Sequence, residues 1–242
     1  MEQFKTEFYN NFIENDRWRW LLEGLLTTLQ ITVLAVLVGL IIGFLIAIVR
    51  STVDKNIKSK LKGTKTVGDK LLLFVDFFCR LYLTVIRGTP VVVQLLIIYY
   101  VVFASVNVDK VFVAVVAFGL NSGAYVAEIM RSGIMSIDEG QFEAGRSLGL
   151  NYVQTMRFII LPQAFKNVLP ALANELIVLL KETSVSGYIA IRELTYTGNM
   201  IRGLTFSAMM PLFAVAIMYL IVVIILTKGV NILEKRLRNS ER

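Results

Sequence analysis

Histidine is absent from the 242 residues, and cysteine occurs once, at Cys79. The first absence removes the side chain most often used as a general base and metal ligand near neutral pH. The second excludes an intrachain disulfide and a thiolate metal cluster, and no metal site is expected. Cys79 lies in an apolar stretch and reads as a small buried hydrophobe. The phosphate loop Gly-x-x-x-x-Gly-Lys-[Ser/Thr] is missing as well. Hydrolysis of ATP by the usual P-loop route is therefore not expected of this chain, which reads as non-enzymatic.

What the chain has in excess is uninterrupted apolar sequence. Hydrophobic residues make up 56% of it, with a mean hydropathy of +0.66, whereas soluble domains run at about 45–50% apolar. Residues 25–49 carry no charge, and their polar members Thr27, Thr28, Gln30 and Thr32 gather near one end. At about 1.5 Å per residue a helix of this length exceeds the ~30 Å hydrocarbon core of a bilayer. Residues 212–226 form a second such run. A chain this short has too little interior to hide both, so an integral membrane protein is expected. The net charge of +7 sits mainly between the apolar runs, which the positive-inside rule explains without nucleic acid. The leader mixes acids with bases, and the run after it is too long for a signal h-region, so an uncleaved first span is expected.

Residues 1–20 read as an interfacial leader, with Trp18 and Trp20 among Arg17 and Arg19. The first span, 25–49, contains Gly39-x-x-x-Gly43, a spacing that lets helices approach closely. Residues 50–70 hold seven Lys or Arg (Arg50, Lys55, Lys58, Lys60, Lys62, Lys65, Lys70) against two Asp, the signature of a cytoplasmic loop. Residues 71–106 are apolar but divided at Arg87-Gly88-Thr89-Pro90, where proline disfavours helix in itself and in the residue before it. The segment reads as one broken span, with Asp76 and Arg80 one turn apart and able to pair; a hairpin of two spans is the competing reading. Further spans are expected at 111–130, 162–187 and 209–227, with an outer segment at 188–207. Five spans place the N-terminus outside and put the basic segments 50–70 and 228–242, together with 131–160, in the cytoplasm.

One segment carries a specific pattern. Glu143-Ala144-Gly145, then Gly149, then Ile159-x-Leu161-Pro162 is similar to the EAA loop of ABC importer permeases, with Gly145 where the family usually has Ala. Glycine costs a helix about 1 kcal/mol relative to alanine. Residues 139–148 suit a short helix offering Phe142, Ala144, Gly145 and Leu148 as small and apolar surface. Gly149 permits a tight turn, and Pro162 is expected to start a new segment. Arg87-Gly88-Thr89-Pro90 with Gln94, and Leu180-Lys181-Glu182-Thr183-Ser184, resemble segments of the polar amino-acid permeases.

That resemblance implies an all-α, polytopic membrane protein with five transmembrane helices and a cytoplasmic coupling helix pair at 139–162. The fold would be that of a type I ABC importer, as a single transmembrane domain over 1–242. It implies ATPase coupling through Glu143, Ala144, Gly145, Gly149, Ile159, Leu161 and Pro162. It implies no cofactor in this chain, with ATP-Mg on a separate ATPase. The implied partners are cytoplasmic ABC ATPase subunits, a second permease copy or a homologous permease, an extracytoplasmic amino-acid-binding protein and membrane lipid. The implied location is a prokaryotic cytoplasmic membrane.

Charged and amide side chains inside spans are costly and are functional candidates on that ground. Asn121, Tyr125, Glu128 and Ser132 recur on one helical face, and Gln163, Asn167 and Asn174 on another, with Glu175 and Glu182 on a neighbouring stripe. An amino-acid zwitterion needs an anion for its ammonium and donors for its carboxylate. Glu128, Glu175 and Glu182 suit the first role; Lys181, Arg87 and backbone N–H groups at Thr89-Pro90 suit the second. The expected substrate pathway is Arg87, Thr89, Gln94, Asn121, Tyr125, Glu128, Asn174, Glu175, Lys181 and Glu182, with mutual pairing for helix packing as the other reading. An ATP-independent channel or secondary transporter for small polar solutes would carry similar stripes but would have no use for a docking helix pair.

Overall fold

The computed structural model describes residues 2–54 and 66–239, with side chains through Leu237. Lys55, Lys58, Lys60, Lys62 and Lys65 of the basic loop, and Arg242 of the tail, lie outside the described residues. Every regular element among the described residues is helical. In chain order these are α1 (Glu2–Phe8), α2 (Arg17–Thr52), α3 (Val67–Gly88), α4 (Val91–Ile97), α5 (Lys110–Met135), α6 (Glu139–Ser147), α7 (Tyr152–Thr155), α8 (Leu161–Glu182), α9 (Leu194–Thr205) and α10 (Met209–Asn239).

Among the described residues, the run Glu2–Thr52, α5 and Met209–Leu237 are each long and apolar enough to cross a bilayer, and the broken pair Val67–Gly88 with Val91–Val102 passes when taken together. α8, at 22 residues, is long enough at about 33 Å. Gln163, Lys166, Asn167, Asn174 and Glu175 leave it less apolar than the others.

The break in the second apolar segment falls where proline requires it. α3 begins earlier than expected because Thr66 and Asp69 form a reciprocal cap, Asp69 N–H donating to Thr66 Oγ1 at 3.3 Å and Thr66 N–H to Asp69 Oδ2 at 3.0 Å. It ends at Gly88; Thr89 and Pro90 are extended, and a new helix starts at Val91. Pro162 behaves differently from the expectation that it opens a new segment. The backbone remains helical from Tyr152 through Glu182, but residues Met156–Ile160 form one wider turn with i→i+5 hydrogen bonding. A wide turn immediately ahead of proline makes room for the ring and for the hydrogen bond that proline cannot donate.

The chain divides into two compact units, 1–36 with 90–119 and 176–229, and 37–89 with 120–175 and 230–242. In the first unit, Leu21, Leu194, Ile201 and Val215 form the core, with Phe12, Trp20 and Tyr219 packed around it. The leader is folded here. Asn11 is buried and accepts from Thr205 Oγ1 at 2.8 Å. The buried Arg17 donates to Asn10 O and to Glu14 Oε2. Glu193, fully buried, receives the N–H groups of Thr195 (2.7 Å) and Tyr196 (2.6 Å) and the Tyr219 hydroxyl (3.2 Å). It thereby caps α9, satisfying donors that the first turn of a helix leaves open. Burial pushes the Glu193 carboxyl up, and these donors hold it back.

In the second unit, the Gly39/Gly43 face of α2 lies against α5. A Cβ at position 39 would meet Ser122 at 2.9 Å, and one at 43 would meet Val126 Cγ1 at 2.5 Å. The sequence spacing of these glycines therefore marks a helix contact. Two further clusters complete the packing: Ala47, Val126, Met130, Val168 and Leu172, and Leu83 with Ala124 and Ala127.

Candidate functional site

The segment 139–162 folds as a helical hairpin. Asp138 caps α6 by accepting from Gly140 N–H at 2.7 Å. The helix ends when Gly149 takes φ +76°, with Gly149 N–H bonded to Arg146 O (2.9 Å) and Leu150 N–H to Gly145 O (3.1 Å). This paired closure ends helices at a left-handed residue, where glycine carries no Cβ penalty. Asn151 and Gln154 then cap α7 reciprocally, each bond 2.9 Å.

The apolar residues of the hairpin divide between two faces. Phe142 and Gly145 point inward; Phe142 joins Ile134, Ile137, Met156, Ile160 and Ala164 in a buried cluster, with Ile159 and Leu161 packed against it. Glu143, Ala144, Leu148 and Gly149 face out, as do Val153 and Pro162; Leu148 is 75% exposed and Val153 70%. The expected coupling residues thus fall into supports (Gly145, Ile159, Leu161) and a presented surface (Glu143, Ala144, Gly149, Pro162). The presence of glycine at 145 also has a local cause. A Cβ there would lie 2.6 Å from Thr155 Cγ2 and 2.7 Å from its Oγ1, so α6 and α7 approach this closely without a shift of Thr155 only because this position has no side chain. Gly145→Ala is expected to destabilise the hairpin by about 1–3 kcal/mol through overpacking, and Gly145→Ala/Thr155→Ala to recover most of it. Limited proteolysis of the hairpin in the detergent-purified protein measures both.

In the same unit, the expected pathway residues form two groups. Arg87 lies 5.8 Å from the Tyr125 ring centre and 3.8 Å from Glu128 Oε2. Glu128 in turn pairs with Arg131 at 2.6 Å, and Arg131 with Asp54 at 3.6 Å. Separately, Ser122 Oγ donates to Glu175 Oε1 at 3.0 Å, both groups buried beside the buried Asn121 on α5. Asn174 is exposed, and Thr89 Oγ1 bonds Val85 O. In the other unit, Gln94 is buried, Lys181 exposed and Glu182 half-buried.

Asp76 and Arg80 pair as their spacing predicts, at 2.7 Å, with Arg50 joining Asp76 at 3.7 Å. Sequence reasoning missed Arg131, Ser122, Glu193 and the inward role of Phe142. Arg131 is three residues from Glu128, a pairing spacing, and that was an available signal; Glu193 follows Arg192 and carries no comparable mark.

Long apolar helices, a broken span and a capped helical hairpin define a polytopic membrane protein. The sequence profile described as "Binding-protein-dependent transport system inner membrane component" matches residues 71–239. The arginine transport system permease protein ArtQ of Bacillus subtilis is 35% identical over 223 residues, covering 91% of this chain and 94% of ArtQ. The glutamine transport system permease protein GlnP of Escherichia coli K12 is 41% identical over 160 residues, covering 65% and 73%. A crystal structure of an amino acid ABC transporter matches with a TM-score of 0.78 at 36% identity, over 93% of this chain and 98% of that one. An inward-facing methionine ABC transporter shares the fold, with a TM-score of 0.74 at 18% identity, over 91% and 97%.

The chain belongs to the family of binding-protein-dependent transport system inner-membrane components. It is a multi-pass inner-membrane protein with the transmembrane fold of a type I ABC importer, and it is the permease subunit of such an importer. Membership implies, in general terms, an ATPase and a substrate-binding protein as partners.

Proposed function

We propose that this permease carries polar amino acids, as a single transmembrane domain of five spans with its N-terminus outside and C-terminus inside. The arginine and glutamine permeases among its relatives support the substrate class. The observation that carries the mechanism is the hairpin with Leu148 and Val153 exposed at its tip and Phe142 locked beneath. A rigid, glycine-hinged knob with two exposed apolar side chains suits insertion into a groove on a soluble partner. That partner is a cytoplasmic ATPase, which holds ATP-Mg; the permease itself performs no hydrolysis. ATP-driven closure of two ATPases moves the paired hairpins, and a second permease copy or homologue completes the pathway. An extracytoplasmic binding protein delivers the amino acid. Arg87, Thr89, Gln94, Asn121, Tyr125, Glu128, Asn174, Glu175, Lys181 and Glu182 line or support that pathway.

Co-purification of the ATPase in detergent, followed by reconstitution with the binding protein, tests the reading. Uptake of polar amino acids is expected to require ATP, and those amino acids to stimulate the ATPase; uptake that proceeds without ATP would establish a passive or secondary transporter instead. Glu175→Gln keeps an oxygen able to accept from Ser122 but removes the charge. It is expected to leave assembly within about 1 kcal/mol of wild type while lowering uptake at least about tenfold, a loss of about 1.4 kcal/mol in transition-state stabilisation. Unchanged uptake kinetics would assign Glu175 to packing.

A further inference from the structure

We propose that a chamber between α2, α3 and α5 is a binding site for the phosphate of an anionic phospholipid headgroup in the inner leaflet. The chamber has a volume of about 500 Å³ and is lined by Arg50, Arg80, Arg87, Arg131, Thr84 and Glu128, among others. Its charges do not balance. Among the described residues the four guanidinium groups pair with three carboxylates, Asp54, Asp76 and Glu128. One positive charge is therefore in excess. The buried Nε of Arg50 makes no hydrogen bond among the described residues, its nearest carboxylate oxygen standing 3.7 Å away. The side chains of Arg80 and Arg87 remain 44% and 43% exposed, so both can turn toward a ligand. Guanidinium forks match phosphate oxygens in geometry as well as charge.

Three features favour a lipid over a free ion or the transported solute. A phosphodiester with no ammonium in its headgroup brings a single negative charge, which the excess neutralises; a zwitterionic amino acid brings none. Arg50 is two residues from the end of α2, and Arg131 four from the end of α5. In the proposed topology both ends lie at the cytoplasmic surface, where basic pockets between spans meet acidic headgroups. Beside the arginines on α3, Phe77 and Leu81 are exposed, 61% and 49%, and offer an acyl chain an apolar rim.

The proposal rests on the orientation given above, and its test is independent of transport. The intact transporter is purified in detergent, and native mass spectrometry compares retention of phosphatidylglycerol with that of phosphatidylethanolamine. Wild type is expected to retain phosphatidylglycerol preferentially. Arg80→Gln should lower that retention about fivefold and Glu128→Gln should raise it by a similar factor, since one charge near an acidic headgroup changes binding by about that much. Phosphatidylethanolamine retention should not move in either variant. The two variants act in opposite directions, so loss of folded protein cannot imitate the result. Equal retention of both lipids by wild type, with ATP-dependent uptake intact, would overturn the lipid site and leave the importer reading standing. Displacement of phosphatidylglycerol by excess inorganic phosphate would reassign the chamber to a free oxyanion, and displacement by the transported amino acid would reassign it to the substrate.

Discussion

Gly149→Val should insert into the membrane, fold its spans and yet lose ATP-driven uptake. The residue has φ +76°, and the space where a Cβ would project is open, with nothing beyond its own chain neighbours within 4 Å among the described residues. Contact therefore plays no part in the effect; it is the backbone alone. A left-handed conformation costs an L-residue roughly 1–2 kcal/mol, and a β-branched side chain is disfavoured there more strongly. The penalty falls on the closure of α6, where Gly149 and Leu150 donate to the carbonyls of Arg146 and Gly145. Relaxing that strain swings Leu148 and the start of α7 away from the geometry in which they are presented. ATPase hydrolysis and uptake are expected to separate, uptake falling about tenfold or more for a penalty above about 1.4 kcal/mol. Gly149→Asn supplies the control, because asparagine tolerates the left-handed region; it should keep most of the coupling. Equal and full uptake by both variants would remove the hinge from the mechanism.

The hairpin was legible in the sequence because its constraints are local. A glycine that must take positive φ leaves a mark in the sequence, and Gly149 is that glycine; the Asn151–Gln154 cap is as local and went unread. The long spans were legible for a similar reason: a bilayer sets a length that residues 25–49 and 212–226 satisfy by themselves. What could not be read depends on a second segment. Gly145 looked like a departure from the alanine usual at its position, and only the approach of Thr155 across the hairpin explains it. Pro162 looked like a boundary, since the wide turn that accommodates it lies in the preceding residues Met156–Ile160, whose composition carries no mark of it. α5 continues to Met135, past the expected end of the span at 130, because Arg131 satisfies its charge against Glu128 and Asp54. The Ser122–Glu175 contact joins residues on different helices, and a stripe pattern names their faces without naming the partner. The same holds for Asp76: its pairing with Arg80 followed from helical spacing, but Arg50 did not.

That third residue sets the largest stability effect expected for the protein. Asp76 is buried, with its carboxylate 2.7 Å from Arg80 and 3.7 Å from Arg50. The two arginines differ in their surroundings: the Arg50 side chain is 16% exposed and that of Arg80 44%. Asp76→Asn removes the charge from both. Arg80 can turn outward to water or headgroups, and in Arg80→Gln the amide N–H can still donate to the buried Asp76 carboxylate while Arg50 keeps its charge beside it, so Arg80→Gln alone should cost less. Arg50 has no comparable exit, and a buried charge left without its partner typically costs about 3–5 kcal/mol. Asp76→Asn should therefore lower the thermal midpoint of the purified permease far more than Arg80→Gln does. The decisive variant is Arg50→Met/Asp76→Leu, which removes both buried charges and fills their volume with apolar side chains. Because desolvating two ions offsets most of their attraction, such replacements are often neutral or stabilising, and the double variant should recover most of the loss. A midpoint for Asp76→Asn equal to that of wild type would mean that Arg50 finds solvent after all, and that the packing of α3 on α2 is held by its apolar contacts alone.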